Sequence, residues 1–236
     1  PAVDPSMILY YHLNNQSAFG ENDTYVYDFS GNNNNGTVVN ATFNSSAGIL
    51  GGAFQFDSSK PAYITRTNLS IGVNENFTVC SWYKPNSLVG DGVIFTNLIN
   101  SNNRVSISQT NARLQAGVYN GTWNYKNYDF ATAKLSYVCL VYTNPNGVQV
   151  FLDGTEITTN LGTAPRIGSG VLMRVGISTT STFPFNGSID EVIVYNRTLP
   201  ASEVLSNYQD YTNGYKFTAK NKYNVISTYD EFNLTD

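Results

Sequence analysis

Charged side chains are scarce in this chain of 236 residues. Asp, Glu, Lys and Arg together make up 13% of it, about half of their usual share in soluble proteins. The net charge is −4, so the sequence has no excess of Lys and Arg that could neutralise phosphates. Nucleic acid and anionic lipid are therefore not expected as partners. Asn, Ser, Thr, Tyr and Gly replace the charges, which predicts a neutral, hydrogen-bonding surface.

The groups that catalysis needs are also rare. The only histidine, His12, lies in the strand-like run MILYYHL, where a histidine usually has a structural role. Asp190 and Glu191 are adjacent, so in a regular strand they would point to opposite faces and could not act as a carboxylate pair. The glycines do not form a phosphate-binding loop ahead of a helix. We therefore expect a protein that is not an enzyme.

Long apolar runs are missing, since no stretch of 18 or more apolar residues occurs. Direct insertion into a membrane is therefore not expected. The chain starts at Pro1, without Met and without the charged and apolar regions of a signal peptide. We expect a mature or excised product, with any signal peptide already removed and any anchor outside these residues.

Helical periodicity is almost absent, whereas alternation of apolar and polar residues occurs along most of the chain. A hydrophobic content of 41% over this length suits one large domain. A dozen short strand candidates, separated by Asn-Gly, Asp-Gly and Gly-Gly turns, predict an all-β sandwich of antiparallel strands. One short helix is predicted over Ala201–Tyr208, directly after Pro200, with Val204, Leu205 and Tyr208 on one face.

Four segments occur in the order seen in one group of β-sandwich domains. They are YDFSGNNNNGT at 27–37, FTVCSWYKP at 77–85, VQVFLDG at 148–154 and FNGSIDEVIVYNRTLPASEV at 185–204. With them, the chain resembles laminin-G-like, concanavalin A-type jelly rolls over about residues 7–208. The resemblance implies an all-β fold, a two-sheet antiparallel jelly-roll sandwich with one short C-terminal helix. It also implies a scaffold for binding and adhesion, over residues 1–213. The tail 214–236 has no counterpart there.

The two cysteines, Cys80 and Cys139, both lie in strand-like runs. Their setting resembles that of pentraxins, in which a disulfide joins the two equivalent strands. The resemblance therefore implies a Cys80–Cys139 disulfide and an oxidising compartment. The alternative is two separate buried thiols.

Asparagine is abundant, with 31 residues, and the acceptor pattern Asn-x-Ser/Thr for N-linked glycans occurs eleven times. From the composition, chance alone gives about six such sites. The excess predicts a glycosylated protein of the cell exterior or a particle surface, although a chain rich in Asn and Thr also creates such patterns by accident. The sites are Asn15, Asn22, Asn35, Asn40, Asn44, Asn68, Asn76, Asn120, Asn186, Asn196 and Asn233.

A calcium site is implied by the same resemblance. The loop DFSGNNNNG at 28–36 offers the oxygen ligands that Ca²⁺ prefers, and the resembling domains often hold Ca²⁺ near this loop, close to the carboxylate matching Asp190. Asp28, Asn33 and Asp190 are the predicted ligands. In the alternative, the loop is an Asx-rich turn and Asp190 caps a backbone amide.

Glucanases of this fold use Glu-x-Asp-x-x-Glu, and that pattern does not occur in the chain.

An aromatic cluster in VYNGTWNYKNYDF is the predicted ligand surface. Aromatic faces beside Asn side chains suit sugar rings, which offer C–H patches and hydroxyls. The same residues could instead cover a sheet edge. The cluster consists of Tyr119, Trp123, Tyr125, Tyr128 and Phe130.

Together these features predict a secreted, N-glycosylated jelly-roll domain for adhesion or for recognition of glycans or surface proteins. The second hypothesis is a structural subunit of an extracellular filament, sheath or virion that associates with copies of itself. In that case the tail 214–236 would pair as an edge strand with a neighbouring copy or with its own domain.

Overall fold

The structure is a computed structural model that describes residues 4–69, 71, 76–100, 103–120, 123–129, 133–144, 147–157 and 171–213. For positions 100, 120 and 123–126 it describes the backbone. Phe130, Asn233 and the tail 214–236 lie outside the described residues. The role predicted for the tail therefore stays a prediction.

Sixteen strands in the described residues form two antiparallel sheets of eight strands each. In the first sheet the order is β14-β13-β12-β7-β16-β5-β4, and β1 also pairs with β16. Its strands are β1 (Met7–Tyr11), β4 (Thr42–Asn44), β5 (Ala53–Phe56), β7 (Phe77–Pro85), β12 (Ser136–Thr143), β13 (Gly147–Leu152), β14 (Thr155–Glu156) and β16 (Gly187–Tyr195).

The second sheet has the order β11-β10-β9-β8-β15-β6-β3-β2. Its strands are β2 (Tyr25–Val26), β3 (Gly36–Val39), β6 (Tyr63–Thr67), β8 (Asp91–Asn100), β9 (Asn103–Thr110), β10 (Arg113–Asn120), β11 (Trp123–Asp129) and β15 (Leu172–Val175). This architecture confirms the predicted two-sheet jelly roll.

The main core lies between the two sheets and follows from the alternation in the strands. In β9, Val105 and Ile107 are fully buried in this core, whereas the residues between them face away from it. In β10, Leu114, Ala116 and Val118 repeat the pattern. Each of these strands therefore gives one face to the core and the other to the outside of the second sheet.

A second apolar cluster covers the outer face of the first sheet. It packs Trp82 and the disulfide between Cys80 and Cys139 beneath α1 (Ala201–Thr212). Cys80 and Cys139 lie directly opposite each other on β7 and β12, so the predicted disulfide is confirmed. We call this outer face of the first sheet the covered face.

The helix α1 is four residues longer than predicted. The rings of Tyr208 and Tyr211 pack on Trp82, and each ring centroid lies 5.8 Å from that of the indole. Val204 is buried as predicted, but Leu205 is 40% exposed, which corrects the predicted face. Among the residues that the structure describes, no helix has the length and apolar character needed to cross a bilayer.

One feature of β16 contradicts the sequence-based expectation for its two carboxylates. Glu191 has a φ of +51°, and the register against β7 shifts between Asp190 and Ile193, which marks a β-bulge. Asp190 pairs with Trp82, which belongs to the cluster on the covered face. The Glu191 carboxylate bonds to Tyr10 and Tyr211 of the same cluster. The bulge therefore turns both acids toward the covered face, and they do not point to opposite sides.

Candidate functional site

The outer face of the second sheet differs from the covered face in its chemistry. Alternation places Ser106 and Ser108 of β9 and Gln115 and Gly117 of β10 on this side, because their neighbours fill the core. Ser106 lies opposite Gly117, and Ser108 lies opposite Gln115. We call this outer surface of the second sheet the polar face.

A cleft of about 320 Å³ lies on the polar face. Nine of its fifteen lining residues carry neutral hydroxyl or carboxamide groups, and one cation and one anion complete the polar set. The lining residues are Asp91, Gly92, Val93, Thr96, Arg104, Ser106, Ser108, Gln109, Thr110, Gln115, Gly117, Ser178, Thr179, Thr180 and Phe183. Such a composition suits a hydroxyl-rich, uncharged ligand better than an apolar one.

Hydrogen bonds within the protein fix several of these side chains. The Thr110 hydroxyl donates to Gln115 Oε1 over 3.0 Å, which orients the carboxamide. Gln109 Nε2 donates to the carbonyl of Ser87 over 2.7 Å and ties β9 to the β7–β8 loop. The Thr96 hydroxyl donates to the Val105 carbonyl over 3.0 Å. The floor of the cleft is therefore built from rigid strands with oriented polar groups.

The two ends of the cleft have different characters. At one end, the guanidinium of Arg104 lies over the ring of Tyr119, 5.1 Å from its centroid. At the other end are Asp91, Thr110 and the exposed ring of Phe183. Arg104 and Thr110 are six residues apart on β9, so the cleft extends about 20 Å along the strand.

The predicted aromatic ligand surface is only partly assembled. Tyr119 pairs with Arg104 on the polar face, but Tyr128 pairs with Leu114, a core residue. Directly paired residues share a face, so Tyr119 and Tyr128 lie on opposite faces of the second sheet. The backbone of β11 pairs Trp123 with Tyr119 and Tyr125 with Gly117. A ligand role for Tyr119, Trp123, Tyr125 and Tyr128 stays a prediction.

The predicted calcium ligand Asp28 is bonded to groups within the protein. The Asp28 carboxylate accepts four hydrogen bonds, from the backbone of Tyr10, Ser30 and Asn34 and from the Ser30 hydroxyl, at 2.8–3.0 Å. A carboxylate has about four acceptor positions, so Asp28 does not fit the role of a calcium ligand. This bonding is that of an Asx-rich turn.

The other two predicted ligands do not complete a calcium site around Asp28. Asn33 is exposed with a φ of +58°, and Asp190 Oδ2 accepts from the backbone of Ile49 over 3.0 Å. In the part of the chain that the structure describes, no cluster of three His, Cys, Asp or Glu side chains could hold a metal. Calcium binding therefore stays a prediction with no assembled ligand set behind it.

Two adjacent carboxylates, those of Asp190 and Glu191, are buried on the covered face. Glu191 Oε2 accepts hydrogen bonds from the hydroxyls of Tyr10 and Tyr211, over 2.7 and 2.8 Å. Burial raises the pKa of Glu191 to about 7. Burial, together with the neighbouring charge of Glu191, also raises the pKa of Asp190 well above its usual range. Both side chains are enclosed, so they cannot meet a substrate.

Glu21 and His12 lie beside this acidic pair. Glu21 accepts from the backbone of Gln16 and Tyr27, and burial raises its pKa. Burial lowers the pKa of His12 to about 3, and its ring lies 3.7 Å from that of Phe29. The histidine therefore has a structural position, as the sequence suggested.

The predicted glycosylation sites differ in their accessibility. Asn22, Asn40, Asn68, Asn76 and Asn196 are exposed. Asn15, Asn35, Asn44 and Asn186 are half-buried. The Oδ1 of Asn35 accepts from the backbone of Asp28, and that of Asn186 accepts from Asn86. Occupancy of all these sites stays a prediction.

Comparison with solved structures shows the same architecture in several binding domains. Domain 4 of an extracellular GH43 arabinanase from Geobacillus stearothermophilus, in complex with arabinotriose, has a TM-score of 0.67 at 20% identity; the alignment covers 86% of this chain and 98% of that chain. The receptor-binding domain of botulinum neurotoxin type G has a TM-score of 0.65 at 16% identity, over 86% of this chain and 51% of that one.

A third neighbour is the binding domain of Paraclostridial Mosquitocidal Protein 1, with a TM-score of 0.67 at 14% identity, over 87% of this chain and 52% of that one. The chain thus spans about half the length of the two toxin domains. At these identities the likeness shows the fold alone.

Comparison at the level of sequence gives the family. A search of curated proteins found no match. The family model described as the concanavalin A-like lectin/glucanases superfamily matches residues 57–205, which is more than half of the chain. The matched region contains β8, β9 and β10, which form the floor of the cleft. The chain therefore belongs to the concanavalin A-like lectin/glucanases superfamily.

Proposed function

We propose that this chain is a non-catalytic recognition domain that binds carbohydrate in the cleft of the polar face. The observation that carries the proposal is the cleft itself, a 320 Å³ depression lined mainly by neutral hydroxyl and carboxamide groups. Sugars offer many hydroxyls that pair with such groups, and they carry C–H faces that pack on aromatic rings.

The choice of face follows from the packing of the sandwich. Among the described residues, α1 and an aromatic cluster pack on the covered face, so the part of it that they bury is not open to a ligand. Among the similar structures, the arabinanase domain is described with arabinotriose and the neurotoxin domain as receptor-binding. These partners are consistent with glycans or surface proteins as the ligands of this chain.

The setting of this activity is the second part of the proposal. A disulfide and eleven acceptor patterns for N-linked glycans favour a secreted, glycosylated protein that acts in adhesion or recognition at a cell or particle surface. The carboxylates with raised pKa values, those of Glu21, Asp190 and Glu191, are buried, which favours binding without catalysis.

A glycan microarray tests the proposed function. We expect the full chain to bind a subset of oligosaccharides, and the best of these then serves as the probe in isothermal titration calorimetry. Gln115→Ala removes a carboxamide from the cleft floor and should weaken binding about tenfold, a typical loss for one ligand hydrogen bond.

Gln149→Ala is the matched control, because Gln149 lies on β13 in the first sheet and bonds only to the exposed Glu156 among the contacts described. It should leave the affinity unchanged. Absence of binding to every glycan on the array would overturn the proposal. Equal affinity of the Gln115 variant and the wild type would show that the ligand binds outside this cleft.

A further inference from the structure

Phe183 is an exposed aromatic side chain at the end of the cleft. Its side chain is 54% exposed, although burial of a phenylalanine is favourable. Its backbone has a φ of +54°, a region that bulky residues rarely adopt. Ser181, two residues earlier, also has a positive φ, of +61°. Strained backbone of this kind persists only where the surroundings enforce it, and it is concentrated at functional sites.

The loop that carries Phe183 is held by a network of hydroxyl groups. The side chains of Ser178, Thr180 and Thr182 lie within 2.8–3.0 Å of one another. The backbone of Thr182 donates to Ser178 Oγ, and the backbone of Ser178 donates to the carbonyl of Thr182. The Val93 amide donates to the carbonyl of Phe183 over 3.0 Å, which fixes the loop to β8.

Arg174 of β15 holds the same loop from the sheet. One terminal nitrogen of its guanidinium donates to the Ser178 carbonyl over 3.0 Å and to Ser181 Oγ over 2.9 Å. The guanidinium also lies 4.6 Å from the ring centroid of Tyr63. Because Arg174 is thereby engaged on three sides, it acts as a positioning residue for the loop.

Gly92 shows how closely this loop approaches the sheet. A Cβ atom at this position would lie 2.8 Å from the Cα of Phe185, so a larger residue would push the loop away from β8. The loop therefore packs directly on β8, one of the strands that form the floor of the cleft.

We propose that Phe183 is the aromatic platform of the cleft, on which the apolar face of one sugar ring in a neutral oligosaccharide stacks. This inference rests on the proposed function and adds to it a subsite and a ligand class. Neutral groups dominate the floor of the cleft. Among its described lining residues the one cation is Arg104, which pairs with Leu98 of β8, whereas Phe183 bonds to Val93, five residues earlier on that strand. A cleft about 20 Å long takes several sugar units in a row along β9.

The test compares Phe183 variants with the wild type, using the neutral oligosaccharide that binds best on a microarray of neutral and sialylated glycans. By titration calorimetry, Phe183→Ala should weaken binding about tenfold, since stacking on an aromatic face is lost. Phe183→Tyr keeps the ring and should retain the affinity. Leu205→Ala removes an apolar side chain of 40% exposure on α1, which packs on the first sheet, and should have no effect.

The role of Arg174 has a separate readout. Arg174→Lys keeps the charge but loses the planar fork. We expect weaker binding together with shifted ring signals of Phe183 in a ¹³C-phenylalanine NMR spectrum of the free protein. Arg113→Lys, in an exposed ion pair with Asp129, should change neither. Unchanged ring signals in the Arg174 variant would show that this residue does not position the platform.

The outcomes separate this inference from the function on which it rests. If Gln115→Ala weakens binding and the affinity of Phe183→Ala stays within twofold of the wild type, the cleft binds glycan but Phe183 is not its platform. If the array shows only sialylated ligands, the neutral class is wrong. If no glycan binds, both proposals fail. A tenfold loss for Phe183→Ala, with the Leu205 control unchanged, supports the role of Phe183 as the platform.

Discussion

The backbone conformation of Glu191 determines where two buried carboxylates lie. Its φ of +51° lies at the bulge that directs two adjacent carboxylates to the covered face. There its Oε2 atom joins Tyr10 of β1 to Tyr211 of the helix through two hydrogen bonds. One side chain thus connects the sheet with the helix that covers it.

The buried Glu191 predicts a pH dependence of stability. Burial raises its pKa from 4.5 to about 7, so between these values the folded state holds the proton more firmly than the unfolded state does. This contribution to the free energy of unfolding is complete below pH 4.5 and falls as the pH rises to 7. Glu191→Gln removes this contribution. Between pH 4.5 and 7, the free energy of unfolding of the variant should therefore rise by about 3 kcal/mol relative to that of the wild type.

Urea denaturation at several pH values measures this difference. His12, whose pKa burial lowers to about 3, makes stability rise with pH over part of the same window, so only the difference between variant and wild type is informative. Glu156→Gln, at an exposed position of β14, should reproduce the wild-type curve. Parallel curves for the wild type and Glu191→Gln would contradict the raised pKa.

Asp28 gives a prediction that decides between a turn and a calcium site. Asp28→Ala leaves the buried backbone donor of Tyr10 and the half-buried one of Ser30 without their acceptor and should lower stability by about 3 kcal/mol. The loss should be the same in calcium and in chelator. Asp57→Ala, in an exposed turn of the same type, should have little effect. A wild-type melting temperature that rises with calcium concentration would favour the metal.

At the scale of elements, β7 and β12 form the centre of the first sheet, and the disulfide joins them at facing residues. The bridge closes a separation of 59 residues. On the chain-entropy account such a loop contributes about 4 kcal/mol. The double variant Cys80→Ala/Cys139→Ala should lose about that much in urea denaturation. Two alkylatable thiols in unreduced protein, detected by mass spectrometry, would contradict the bridge.

The strands were largely predictable from the sequence, and the exceptions have local causes. The segment from Gly36 to Asn44 is divided into two strands, β3 and β4, because Asn40 adopts a φ of +55°. β11 was interpreted as an aromatic cluster and not as a strand, since its alternation is hidden by polar residues on both faces. The bulge at Glu191 has no signal in the sequence, because glycine is absent at that position.

At the scale of the whole molecule, the two outer faces have different roles. The covered face is apolar and buried beneath α1, whereas the polar face carries the cleft. The fold followed from hydrophobic pattern and turn residues, and the disulfide followed from the resemblance of the two cysteine-containing segments to those of pentraxins. The cleft was missed because Ser, Thr and Gln are common surface residues. The alternation in RVSISQT and RLQAGVY places these residues on one face of each strand, but only the register between β9 and β10 brings them together.

Glycan occupancy should follow exposure across the molecule. We expect modification first at Asn22, Asn40, Asn68, Asn76 and Asn196, because a transferase can reach these exposed side chains. Asn35, whose amide is bonded to Asp28, should be modified less. Peptide mass spectrometry of protein from a secreting host measures each occupancy. Unmodified asparagine at all five exposed sites would contradict the prediction.

The central claim is that the cleft on the polar face is a carbohydrate site. A crystal structure of the chain with the best oligosaccharide from the array tests it most directly. The account predicts sugar density along β9 between Arg104 and Thr110, with one ring against Phe183. Sugar density at any other place, with the cleft holding only solvent, would contradict it.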